Sequence, residues 1–476
     1  VSTKDSVDLI SPVNGEKIAE IGSVSKEQAQ EAIEVARKSQ NSIRDMAGID
    51  RIEMINKIRE EISVHKEEII KALMLESGKA YSSASGEINA LIERMRLSME
   101  DFRKIMGEYL PGDWASDTTQ KFALVIREPM GVVLGISPFN YPVFTSISKA
   151  VPALLAANSV IIKPPSADPI AFLMVSEIFR KVGVPNGVFQ VLTGAGSEIG
   201  DFLVSNPGIN MVSFTGSTAV GKHISSIAGL KKVHLELGGK APAIILEDAD
   251  IDLAARECVK GSLELAGQRC DAVSRILVVE KVKDAFIDAV KRHLSDYKFG
   301  DPVADKEVKM GPVISESAAK RIDDMVRDAV KRGAKILAGG KFNKAYYEPT
   351  ILADVPRDAI IAREETFGPV VTIINVKDEN DAINVANDSE YGLDSAVFTN
   401  NFYRAWSVMK RIQAGNVTLN AAPSHGTAFF PFGGIKSSGE GKEGIAYSIE
   451  EMTAVKTMIF NLSPGGLGKV YTGKFK

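Results

Sequence analysis

From Gly131 onward, short β-branched runs at 131–136, 159–162, 188–192, 210–214 and 232–237 alternate with segments of helix length. Parallel strands need long crossovers, which helices fill, so this alternation predicts a parallel, doubly wound α/β sheet. Val132-Val133-Leu134 and Val160-Ile161-Ile162 are apolar without a break, the pattern of strands buried on both faces. Ligands of such sheets sit at the carboxyl ends of the strands, so the residues just after these runs are the first place to look for chemistry. A second series predicts a separate α/β unit: 243–246, a helix from Asp250, 275–279, a helix near 283–297, 371–376 and 417–420.

Upstream, Ser25-Lys26-Glu27-Gln28 fits a capping box, and Ala29, Ala32, Ile33 and Ala36 then repeat at helical spacing, predicting a helix through roughly Ser39. Ile55, Ile58 and Ile62 continue the helical period. Asp248, Asp250 and Asp252 stand at a helix start, where carboxylates favour the dipole.

The chain has 476 residues, enough for two or three domains at ~150 residues each. Its balance of 45% apolar and 25% charged residues is that of a soluble globular protein, and its net charge of −4 is not built from a basic block, so nucleic acid is not expected as a partner. No run approaches the ~20 apolar residues that span a bilayer. Two cysteines, Cys258 and Cys270, are too few for a disulfide framework and imply free thiols, with a cytoplasmic location as the expectation. The five histidines have no metal-ligand spacing, so no metal is expected. No Gly-x-Ser-x-Gly elbow occurs.

Two runs carry reactive groups: Ala266-Gly267-Gln268-Arg269-Cys270 and Leu235-Glu236-Leu237-Gly238-Gly239-Lys240. A thiol that attacks and a carboxylate that activates water make two-step covalent chemistry, although a lone Cys is more often a small buried hydrophobe. Gly216-Ser217-Thr218-Ala219-Val220-Gly221-Lys222 approximates a P-loop and raises a nucleotide hydrolase as a rival of a different class. His223 stands where magnesium needs Ser or Thr, so only a Gly-rich helix start suited to a pyrophosphate survives. Gly194-Ala195-Gly196-Ser197-Glu198-Ile199-Gly200 is one residue too long for the dinucleotide fingerprint.

Taken in order, Pro138-Phe139-Asn140-Tyr141-Pro142, Lys163-Pro164-Pro165-Ser166, Phe214-Thr215-Gly216-Ser217, the Glu236 and Cys270 runs, Glu365-Thr366-Phe367-Gly368-Pro369 and Pro431-Phe432-Gly433-Gly434 resemble the aldehyde dehydrogenase superfamily. The likeness runs from Ser11-Pro12 to Lys456 and is greatest to the branch of archaeal non-phosphorylating glyceraldehyde-3-phosphate and glyceraldehyde dehydrogenases. It implies a Rossmann-like cofactor domain (1–113 and 131–237), an α/β catalytic domain (238–433), a small β oligomerisation extension (114–130 and 451–462), a tail (463–476) and a homodimer or homotetramer.

The resemblance further implies that Cys270 adds to an aldehyde, that Asn140 and the Cys270 N–H hold the oxyanion, that hydride passes to a nicotinamide, and that Glu236 activates the water that hydrolyses the thioester. Lys149 would join a proton relay. Ile136, Ser137, Lys163, Ser166, Gly196, Gly200, Phe214, Gly216, Ser217, Val220, Leu237, Gly238, Glu365 and Phe367 would hold the cofactor. Ser166, in place of the Glu that NAD-preferring relatives often carry, and Lys163 favour NADP while leaving NAD possible. Arg269, Arg103 and His425 are the implied substrate contacts, with Arg94 and Arg96 on the same helix as Arg103. The loop Ser424-His425-Gly426-Thr427 lacks the Arg of phosphate-binding relatives, which raises unphosphorylated glyceraldehyde beside its 3-phosphate.

Overall fold

The computed structural model describes residues 5–105, 107–424, 426 and 429–462. Its first sheet has the order Gly439–Glu440, Lys232–Glu236, Met211–Thr215, Val132–Ile136, Ser159–Lys163, Phe189–Val191, parallel throughout except for the short first strand. These strands match the five apolar runs to within two residues. Val133, Val160 and Ile162 face one core, and Val132, Leu134 and Ile161 face the other, the period-2 division that buries both sides.

Every residue of the helix Pro142–Leu155 is buried. It packs between the sheet and the helices Gly48–Val64 and Tyr81–Phe102. A charged side chain on this helix must find a partner inside the protein, and it carries one, Lys149. The capping box at Ser25 forms, and its helix, Lys26–Arg44, runs five residues beyond the expected end. Ile43, seven residues after Ala36, is fully buried and draws the last turns onto the core.

The second sheet has the order Lys335–Ala338, Thr350–Ala353, Val370–Val376, Val273–Val279, Ala241–Ile245, Ala396–Phe398, Thr418–Leu419, with only its first pair antiparallel. Asp250 caps the helix Ile251–Leu263 by accepting from the Leu253 N–H.

A third, antiparallel sheet joins Thr453–Asn461, Lys121–Pro129 and Glu108–Pro111. This corrects the expected boundary at residue 113, because the pairing of 108–111 with 122–125 carries that strand out of the first unit. Residues 434–450, outside every expected unit, return to the first one: Gly439 pairs with Glu236, and Ile445 and Ile449 are buried there. The tail 463–476 lies outside the described residues.

Candidate active site

The carboxyl ends of four neighbouring strands in the first sheet open onto a cavity of about 970 Å³. Ile136, Ser137, Lys163, Phe214, Gly216 and Glu236 line it from that sheet, and Cys270, Glu365 and Phe367 close it from the second unit. Of the two thiols, Cys258 is fully buried in the second core, whereas Cys270 is partly accessible at the cavity wall.

Local backbone geometry fixes Cys270. Leu265, Ala266 and Gly267 lie in the left-handed region, which costs of order 1 kcal/mol for each residue with a Cβ. A Cβ on Gly267 would stand 2.1 Å from the Gly368 carbonyl oxygen, and one on Gly239 would stand 2.2 Å from that of Cys270. The two glycines therefore let the turn seat against both the 365–369 segment and the strand end that bears Glu236.

Cys270 and Glu236 both line this cavity, near enough for the carboxyl to act electrostatically on the thiol. Burial pushes both groups well above their ordinary values; Glu443 raises Glu236 further, and Glu236 does the same to the thiol. Oε1 of Glu236 is buried with no hydrogen-bond partner, as is Oδ1 of Asn140. Buried polar atoms without partners are costly, and here they face a space where a polar ligand or water satisfies them.

Asn140 stands just before the helix Pro142–Leu155, and Glu87 holds that helix start: its Oε1 accepts from the N–H groups of Val143 (3.0 Å) and Phe144 (2.9 Å). Lys79 pairs with the same carboxylate and lies 4.6 Å above the Tyr141 ring. Glu76 does the same for the next crossover helix, accepting from Ile170 (2.6 Å) and Ala171 (2.8 Å); burial pushes its carboxyl up to about 8.

Beneath Glu236, the buried Lys149 Nζ donates to Thr215 Oγ1 (2.7 Å) and Glu443 Oε1 (2.9 Å). Thr215 is the register partner of Glu236. Burial opposes the charge of Glu443, but Lys149, His234 and Arg94 outweigh it and hold the carboxyl at about 2. Thr215 stands in a sequence motif without a role of its own, and Glu443 and Glu87 stand in none. Glu443 lies 294 residues from Lys149, and no local spacing signals such a pair.

The remainder of the cavity suits a dinucleotide. Gly196 and Gly200 border it, and a Cβ on either would meet open space. Ser217 caps the helix Thr218–Ile227 by accepting from the Val220 N–H, leaving that helix start turned to the cavity. Burial lowers the Lys163 ammonium to about 8, and an anion beside it would favour its charged form. Glu365 accepts from the Gly239 N–H (3.1 Å), and Phe367 meets the Phe139 ring edge-on at 5.7 Å. Arg321 secures that segment by donating to the carbonyls of Glu365 and Thr366. Among the described residues, no group of three or more His, Cys, Asp or Glu side chains is arranged to hold a metal.

The sequence profile of the aldehyde dehydrogenase family matches residues 1–458. The chain belongs to this family. It is 38% identical to the NADP-dependent glyceraldehyde-3-phosphate dehydrogenase of Streptococcus equinus, over 97% of each chain. It is also 37% identical to the lactaldehyde dehydrogenase of Methanocaldococcus jannaschii, over 96% of this chain and 98% of that one. The structure of the NADP-dependent glyceraldehyde-3-phosphate dehydrogenase from Bacillus halodurans, complexed with NADP, superposes with a TM-score of 0.94 at 38% identity, covering 97% of this chain and 96% of that one.

Several expected contacts fall elsewhere in this aldehyde dehydrogenase. Arg269 is buried and does not border the cavity: Asp271 accepts from Nε and Nη2, Glu264 from Nη1, and the Pro423 carbonyl from Nη2. Two carboxylates thus occupy the fork expected to receive a substrate. Arg103 is exposed at the end of the helix Tyr81–Phe102, away from the cavity. Leu237 does not border the cavity either; its side chain packs on Gly221 and its N–H donates to the Ser438 carbonyl. Val220 and Gly238 do line it. Arg96 is an exposed partner of Glu93 and Glu100, whereas Arg94 is buried against the Phe144 ring. The expected contact at His425 lies outside the described residues.

Proposed function

We infer that this aldehyde dehydrogenase oxidises a small 2-hydroxyaldehyde of the glyceraldehyde class to its acid, with NADP as the hydride acceptor. The observation that carries this reading is the meeting of Cys270, Glu236 and Asn140 at one end of a cavity whose other end suits a dinucleotide.

Cys270 reacts as its thiolate, its proton having passed to water, and the sulfur adds to the aldehyde carbon, forming a C–S bond and an alkoxide. The Asn140 amide and the Cys270 N–H donate to that oxygen, where charge develops. A bound nicotinamide supplies the acceptor for the hydride that leaves this carbon. Glu236 then takes a proton from water as its oxygen attacks the thioester, the C–S bond breaks, and Cys270 departs as thiolate. Lys163, Ser166 and the helix starts at Gly196 and Ser217 would hold the cofactor's adenosine and pyrophosphate, and Glu365 its nicotinamide ribose. NADP is favoured because Ser166 at the cavity rim brings no carboxylate against a 2′-phosphate; the names of the similar enzymes point the same way.

The occupied fork of Arg269 and the distance of Arg103 support an unphosphorylated substrate. Similarity to glyceraldehyde-3-phosphate dehydrogenases supports the 3-phosphate as a second reading. Comparing kcat/KM for glyceraldehyde, its 3-phosphate and lactaldehyde with NADP separates them, and the expected order places glyceraldehyde above its phosphate. Exposed Val455, Ile459 and Tyr109 on the third sheet support assembly with further copies of the chain.

A further inference from the structure

We propose that His234 and Glu451 form the outer half of a proton exit path from Glu236 to solvent, an inference that rests on the assignment of Glu236 as the hydrolytic base. Each turnover takes one proton from water onto Glu236, and that proton must leave before the next cycle. A cofactor bound in the cavity would leave less room for that proton to go out through its mouth.

A second way exists within the protein. Lys149 joins Thr215, beside Glu236, to Glu443. Oε1 of Glu443 lies 3.7 Å from Nε2 of His234, a gap that a small rotation of the carboxylate or one bridging water closes. Nδ1 of His234 lies 2.6 Å from Oε2 of Glu451. Side-chain exposure is 1% at Lys149, 13% at Glu443 and 6% at His234, and is highest, 26%, at the outer end, Glu451.

Three details fit a relay better than packing alone. His234 and Glu236 are two residues apart on one strand and so share a face. Nε2 of His234 is buried without a hydrogen-bond partner and faces Glu443. Gly441, at φ +90°, keeps this space clear, since a Cβ there would stand 2.5 Å from Nδ1 of His234 and 2.9 Å from the Glu451 carboxylate. An imidazole takes a proton on one nitrogen and releases another from the second, so a proton arriving from Glu443 at Nε2 frees one at Nδ1 to Glu451. The charges around the string are Lys149 and Arg94 on the inner side and Lys232 on the outer, where the Lys442 backbone N–H also donates to Glu451.

The test compares His234→Gln and Glu451→Gln with the parent enzyme and with Glu236→Gln, in the holoenzyme with NADP and glyceraldehyde. Expected for both outer variants are a full first-turnover burst of NADPH, steady turnover slowed roughly 10- to 100-fold, at or below the loss for a direct proton-transfer group, a larger solvent deuterium effect on turnover, and partial rescue by imidazole buffer. Packing defects do not produce the last two. The partly exposed Glu451→Gln reads the path even where His234→Gln folds poorly. Unchanged turnover and isotope effect in the outer variants, with Glu236→Gln stalled, overturn the exit path alone. Normal turnover in Glu236→Gln overturns the assignment beneath it as well.

Discussion

Replacing Glu236 with Gln keeps the shape of the side chain and removes its basicity. The side chain is buried, and the residue is 3% exposed. Its Oε1 has no hydrogen-bond partner within the protein, so it is available to accept from a water placed there. Loss of a positioned general base costs roughly 10²- to 10⁴-fold, or about 2.7–5.4 kcal/mol of barrier at 1.36 kcal/mol per tenfold. This loss falls on thioester hydrolysis, after the hydride has left. Stopped-flow mixing of the variant with NADP and glyceraldehyde should give about one NADPH per site, followed by turnover slowed by that factor.

The pH dependence follows from the same geometry. Burial and Glu443 raise the Glu236 carboxyl above the ordinary range, and only its ionised form accepts a proton. Wild-type hydrolysis should therefore increase as pH rises through that elevated pKa, and the variant should lack this increase. Steady turnover at the wild-type rate, or loss of the burst together with turnover, would refute the assignment.

Asn140→Ala removes one oxyanion donor and should lower kcat by roughly 10²- to 10³-fold with NADP affinity unchanged; equal weakening of NADP binding would place Asn140 in the cofactor site instead. Ser166→Glu sets a carboxylate at the cavity rim, and the ratio of kcat/KM for NADP over NAD should fall roughly 10²-fold, about 2.7 kcal/mol; an unchanged ratio removes Ser166 from cofactor choice. Arg269→Met deprives Asp271 and Glu264 of a buried partner and should cost about 3–5 kcal/mol of stability, read by denaturant unfolding. Full stability combined with a raised KM for glyceraldehyde 3-phosphate would restore Arg269 as a substrate contact.

The main strands were legible because burial on both faces leaves an unbroken apolar run, and the loops after them held the cavity residues because sheet topology places sites there. Arg269 misled for a physical reason: adjacency to Cys270 in sequence fixes nothing about where a long side chain points, and Asp271, two residues on, captures the guanidinium. Glu87, Glu443 and Glu451 were invisible because a buried Glu has no periodic signature and their partners lie far away in sequence. The boundary near residue 113 failed because four exposed residues, 108–111, are held by pairing alone, which composition does not record.

Cys270 and Glu365 come from one sheet's unit, and Asn140, Lys163 and Glu236 come from the other. Neither half owns a complete reaction. Catalytic competence is thus a property of the seam, and it belongs to the last step of assembly. On refolding, whatever the order in which the two sheets form, the first turnover should wait until the glycine-bearing turn at 267 and the strand end at 239 have found each other. Enzyme activity in this chain is consequently an intrinsic reporter of how its two halves come to rest together.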